Sequence, residues 1–90
     1  MMKAIVTVTG LDRRGIIAEI CTLLAAHGIN ILDISQTVMK EFFTMTMLVD
    51  IELSTLSFDA LSIALSAKGE EMKLSVRIQR EDIFYAMHEI

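Results

Sequence analysis

Ninety residues leave room for one domain, and a formal net charge of −4 argues against a nucleic-acid binder, which carries a basic stripe. With 53% apolar residues and a mean hydropathy of +0.55, the chain is more apolar than one small domain can hide. Burial of some of that surface against a second copy is therefore expected. No apolar run reaches the roughly 18 residues of a membrane span. One lysine and no small-residue cleavage site near the start predict no secretory leader. The lone Cys21 cannot form an internal disulfide, and its apolar neighbours suit a reducing cytoplasm.

Lys3 to Thr9 is short and β-branched and reads as a strand that stops at Gly10. From Ile16 the period changes. Ile16, Ile17, Ile20, Leu23, Leu24 and His27 recur as one helix face. Asp12 is a candidate N-cap, because its carboxylate can accept from first-turn N–H groups. Gly28 suits the left-handed position just past a helix end. Ile29 to Met39 returns to a β pattern, with Ile34, Gln36 and Val38 facing one way and Ser35, Thr37 and Met39 the other. Lys40-Glu41 is the expected turn. Phe43, Met45, Met47 and Val49 then alternate with polar or outward residues in the clearest strand of the chain. Ser54, Thr55 and Ser57 offer caps for a second helix with Phe58, Leu61 and Leu65 on one face, ending or fraying at Gly69. Leu74, Val76 and Ile78 mark a last strand. The tail from residue 81 is expected to form one or two helical turns anchored by Ile83, Phe84 and Met87.

The order β-α-β-β-α-β predicts an α+β, ferredoxin-like domain. Right-handed crossovers place both helices on one face of a four-stranded antiparallel sheet, leaving the other face open. The whole of 1–90 reads as one domain, with a core over 3–80.

That architecture serves many functions, so the residues must discriminate. An RNA-recognition domain stacks bases on aromatics of its central strands, and the first strand here has none. A soft-metal carrier needs paired cysteines in the first loop, and 10–15 contains none. An acylphosphatase-like enzyme needs an asparagine on the third strand, where Thr44 and Thr46 stand. No Ser/His/Asp set, metal-ligand spacing or phosphate loop is present, so catalysis, metal and cofactor are not expected. His27 reads as half-buried packing, Cys21 as helix filler, and His88 has no second ligand at a suitable spacing.

The stretch VTVTGLDRRGIIAEICTLLAAHGINILDISQTV resembles the first half of an ACT domain. The marks are an apolar strand, a G-x-D-R-x-G loop, an apolar helix, and G-I-N-I opening the second strand. With its R-I-Q-R-E-D ending, the whole chain resembles the small stand-alone ACT proteins grouped as UPF0237. Related ACT halves occur in glycine-cleavage regulators and formyltetrahydrofolate deformylases. The resemblance implies a regulatory homodimer that binds an amino acid or similar metabolite where the first loop meets the start of the second strand, often across the dimer interface. It places Gly10, Leu11, Asp12, Arg14, Gly15, Ile16, Asn30 and Ile31 at that site. Exposed N–H groups at the helix start suit a carboxylate, Asp12 suits an ammonium, and Asn30 offers both a donor and an acceptor. Asp12 could equally serve only as a cap, and Arg13 and Arg14 could be merely solvated. The competing expectation is a ligand-free adaptor that docks a protein through the open sheet face and the tail.

Overall fold

The structure, a computed structural model, describes residues 1–82. The expected tail anchors Ile83, Phe84 and Met87, and His88, lie outside them. The elements are β1 (Lys3–Leu11), α1 (Ile16–Ala26), β2 (Asn30–Met39), β3 (Phe42–Asp50), α2 (Phe58–Met72) and β4 (Leu74–Arg80). They form one antiparallel sheet in the order β2-β3-β1-β4. The ferredoxin-like α+β arrangement expected from the element order is the one observed.

One face of the sheet carries the core. Ala4, Val6 and Val8 of β1, Phe43, Met45, Met47 and Val49 of β3, and Leu74, Val76 and Ile78 of β4 are buried there. Ile16, Ile20 and Leu24 of α1 and Leu61, Leu65 and Met72 of α2 close over them. Cross-strand partners share a face. The pairs Thr9↔Thr44, Thr7↔Thr46, Thr37↔Thr44 and Ser35↔Thr46 therefore line the opposite, helix-free face, joined by Ser75 opposite Thr9. That face is hydroxyl-rich toward the β1–α1 loop and carries the apolar pair Ile5↔Leu48 toward its other end, with Ile5 buried.

Three local expectations are corrected. β1 does not stop at Gly10 but runs on to Leu11. Gly10 pairs with both Phe43 and Leu74, and a Cβ there would lie 2.5 Å from Leu74 Cδ2. The glycine serves close packing within the sheet rather than a turn. Asp12 does not cap α1. The N-cap is Gly15, at φ 91°, with no side-chain cap. Asp12 sits too early, and its backbone N–H instead donates to Glu41 O at 2.7 Å. Gly69 neither ends nor frays α2. It is buried inside the helix, where a Cβ would meet Leu74 O at 2.8 Å and Val76 Cγ2 at 2.9 Å. The missing side chain lets α2 lie directly on β4. The helix ends instead at Lys73, in the left-handed conformation at φ 60°.

Other signals held. Gly28, at φ 76°, closes α1 in a Schellman motif. Its N–H donates to Ala25 O at 3.1 Å and that of Ile29 to Leu24 O at 3.0 Å, and Ile29 and Leu24 share the core. Ser57 caps α2, its side chain accepting from Ala60 N at 3.2 Å. Lys40, at φ 56°, makes the β2–β3 turn. β2 begins one residue later than expected and bulges between Ile31 and Asp33. Past that bulge, Ile34, Gln36 and Val38 pair with Met47, Met45 and Phe43 and so face the helix side.

Candidate ligand-binding site

The loop from 12 to 15 leaves the end of β1 and feeds α1. With Gly15 as a bare cap, the first-turn N–H groups have no side-chain acceptor. The buried Ile16 anchors the helix start in the core. Asp12, Arg13 and Arg14 are exposed. Arg13 is not merely solvated. Its Nη2 lies 2.7 Å from Glu19 Oε2, and its Nη1 donates to Arg14 O at 3.2 Å. Glu19 also meets Lys68 Nζ of α2 at 3.3 Å. Hydrogen bonds from Arg13, then Lys68, hold the Glu19 carboxyl below the usual carboxylate range.

Beside this loop, β2 extends past the helix layer and leaves a groove of about 510 Å³. Asp12, Arg13 and Gln36 give it polar atoms, while Ile17, Val38 and Phe43 give it apolar walls. The size is in the range of roughly 300–1,000 Å³ typical of small-molecule sites. A second depression, about 380 Å³, lies between the helices and is lined by Glu19, His27 and Lys68. It shares Ala18 with the groove and meets the loop through the Arg13–Glu19 pair. His27 is half-buried, as expected, with Nδ1 3.1 Å from Thr55 Oγ1. Cys21 is half-buried against the core, and burial pushes its thiol up, away from the reactive thiolate. Among the described residues, no group of three or more His, Cys, Asp or Glu could hold a metal ion, and no helix is long and apolar enough to cross a membrane.

The structure divides the predicted site residues into two groups. Gly10, Leu11, Asp12, Arg14, Gly15 and Ile16 gather at one end of the sheet. Asn30 and Ile31 lie at the other. Asn30 pairs with Asp50, which pairs with Lys3. Leu11 is eight positions beyond Lys3 along β1, or about 26 Å at roughly 3.3 Å per residue. Within one chain, then, the β2 residues that meet the loop are Gln36 and Val38, at the end of the strand rather than its start. The one-dimensional pattern does not reveal this, because parallel alignment of β1 and β2 follows only from both pairing with β3.

Both the fold and the loop now point one way. A sequence profile of the ACT domain matches residues 3–79. The chain belongs to the ACT domain family. A UPF0237 protein of Clostridium acetobutylicum is 51% identical over 89 residues, covering 99% of this chain and all of that one. An ACT domain protein from Streptococcus pneumoniae superposes with a TM-score of 0.81 at 41% identity, over 92% of this chain and 93% of that one. A formyltetrahydrofolate deformylase from Pseudomonas syringae shares the fold, with a TM-score of 0.82 at 23% identity, over 89% of this chain and 28% of that one. ACT domains are small ligand-binding regulatory domains, and the two-helix, four-stranded ACT sandwich is the one this chain adopts.

Proposed function

We propose that this protein is a non-catalytic, cytoplasmic ligand sensor. Two copies pair through their β2 edges, and an amino acid or similar small metabolite binds at the seam beside the β1–α1 loop. Binding shifts the population of dimer states and so changes what a partner protein meets.

The observation that carries this reading is the contrast between the two sheet edges. The β4 edge is guarded by exposed Lys73, Arg77 and Arg80, the usual defence against edge pairing. The β2 edge has no cation from Asn30 to Met39. It also carries much of the exposed apolar surface: Leu32, Ile34, Val38 and Met39 are exposed on β2, and Leu11 and Phe42 beside its end, while Met1, Met2, Leu53 and Ile63 are exposed elsewhere. Antiparallel pairing of two such edges brings the Asn30 end of one copy to the Met39 end of the other. That reunites Asn30 and Ile31 with a loop from which they are separated within one chain. There the first-turn N–H groups can meet a ligand carboxylate, and Asp12 its ammonium.

One observation favours the adaptor reading. Leu11 and Met39 both pair with Phe42, and the three form an exposed apolar corner on the helix-free face. Between that corner and the Ile5↔Leu48 pair the face is lined by the hydroxyls of Thr7, Thr9, Thr44 and Thr46, which interrupt the apolar surface.

Sedimentation velocity at micromolar concentration, with and without each common amino acid, tests the proposal. A dimer that tightens with one of them is expected. Asn30→Ala should weaken that response at least several-fold while leaving the apo melting temperature nearly unchanged. A monomer at all concentrations, or an undiminished response in the variant, refutes it.

A further inference from the structure

We infer that the groove selects an α-amino acid with an uncharged, apolar side chain, and that Glu19 sets this selectivity by neutralising Arg13. The inference rests on the amino-acid-sensing reading above and adds the class of ligand.

The walls decide the side chain. Once Asp12 and the helix start are given to the ammonium and carboxylate of a zwitterion, what remains is Ile17, Val38 and Phe43, with the neutral amide of Gln36 two residues before Val38 on β2. Val38 is 53% exposed and Ile17 half-exposed in the single chain, so at the seam of two β2 edges a ligand side chain laid between them shares the burial of that apolar surface with the second copy.

The charges decide what is refused. Arg13 is the one cation lining the groove among the described residues, and both ends of its guanidinium are engaged, by Glu19 and by Arg14 O. Glu19 is itself braced by Lys68 from α2. An acidic side chain entering the groove would face Asp12 and would have to compete with Glu19 for Arg13. A basic side chain would compete with the ammonium for the single Asp12 carboxylate. Arg14 is exposed in the loop but does not line the groove. Removing the charge of Glu19 would release Arg13 to meet a second carboxylate.

Isothermal titration of the intact protein with L-leucine, L-isoleucine, L-phenylalanine, L-aspartate, L-lysine and L-serine tests this, with circular dichroism melts of each variant to verify folding. The wild type should bind an apolar member at least tenfold more tightly than aspartate or lysine. Val38→Thr, a change of similar shape on an exposed position, should weaken that binding by roughly tenfold. Glu19→Gln should raise aspartate affinity severalfold while leaving leucine nearly unchanged. Tightest binding of aspartate, lysine or serine by the wild type, or apolar binding indifferent to Val38→Thr, overturns the inference but leaves amino-acid sensing standing. An aspartate affinity unmoved by Glu19→Gln removes Glu19 from the selectivity. No heat with any amino acid overturns both proposals.

Discussion

Replacing Gly69 by alanine sets two effects of opposite sign against each other. Gly69 lies in the interior of α2, where alanine is ordinarily better by about 1 kcal/mol on helix propensity alone. The new methyl, however, would sit 2.8 Å from the Leu74 carbonyl oxygen, 2.9 Å from Val76 Cγ2 and 3.2 Å from Val76 Cβ. The first of these is backbone held in the β1–β4 ladder, and the other two belong to a stiff β-branched side chain that is 3% exposed. None can swing aside, so α2 must lift off β4 by several tenths of an ångström. Overpacking of this kind costs roughly 1–3 kcal/mol, and a rigid backbone neighbour argues for the upper half. The sum is a net loss of about 1–2 kcal/mol. For a domain of 60–100 residues, each 1 kcal/mol moves the melting temperature by about 4–8 °C, so a fall of roughly 5–15 °C is expected. Thermal melts followed by circular dichroism, at one fixed protein concentration so that the proposed self-association cannot move the midpoint, measure it. Ala67→Gly, at an exposed position two residues earlier in the same helix, is the control and should lose about 1 kcal/mol on propensity alone. A Gly69→Ala protein that melts higher than the wild type would refute the close-packing account and restore Gly69 as an ordinary weak point of the helix.

Ser57→Ala removes the acceptor for Ala60 N and should cost about 1 kcal/mol, read as a lower urea midpoint with an unchanged slope. The Glu19 carboxyl is depressed in the folded chain by Arg13 and Lys68, so its contribution is present above its ordinary value of 4.5 and disappears as the pH falls through the folded value. Urea midpoints taken from pH 6 down to pH 3 should therefore fall more steeply for the wild type than for Glu19→Gln. Parallel curves would show that the exposed Arg13–Glu19–Lys68 chain contributes nothing to stability.

Much of this fold is written in the order of the residues, because period and punctuation act locally. The alternation in 43–49 and the spacing of Ile16, Ile20 and Leu24 place strand and helix without reference to anything distant. Gly28 can be identified as the end of α1 because the left-handed conformation suits glycine. Ser57 can be identified as a cap because its hydroxyl reaches a backbone N–H three residues on. The ACT loop was legible for the same reason: G-x-D-R-x-G is a contiguous motif. The misjudged positions are those whose role lies across space. Gly10 and Gly69 look like punctuation along the chain, yet Gly10 sits mid-ladder against the Leu74 side chain, and Gly69 lies where the Leu74 backbone and Val76, from β4, come too close for a side chain. Asp12 looks like a cap until the loop folds with Gly15 at the helix start and the Asp12 N–H on Glu41. The engagement of Arg13 by Glu19 depends on how the loop folds back over the helix. The placement of Asn30 far from the loop, and of Gln36 and Val38 beside it, depends on which strands pair. Local propensity decides what each segment becomes, but only packing decides which segments meet, and a binding groove is made of segments that meet.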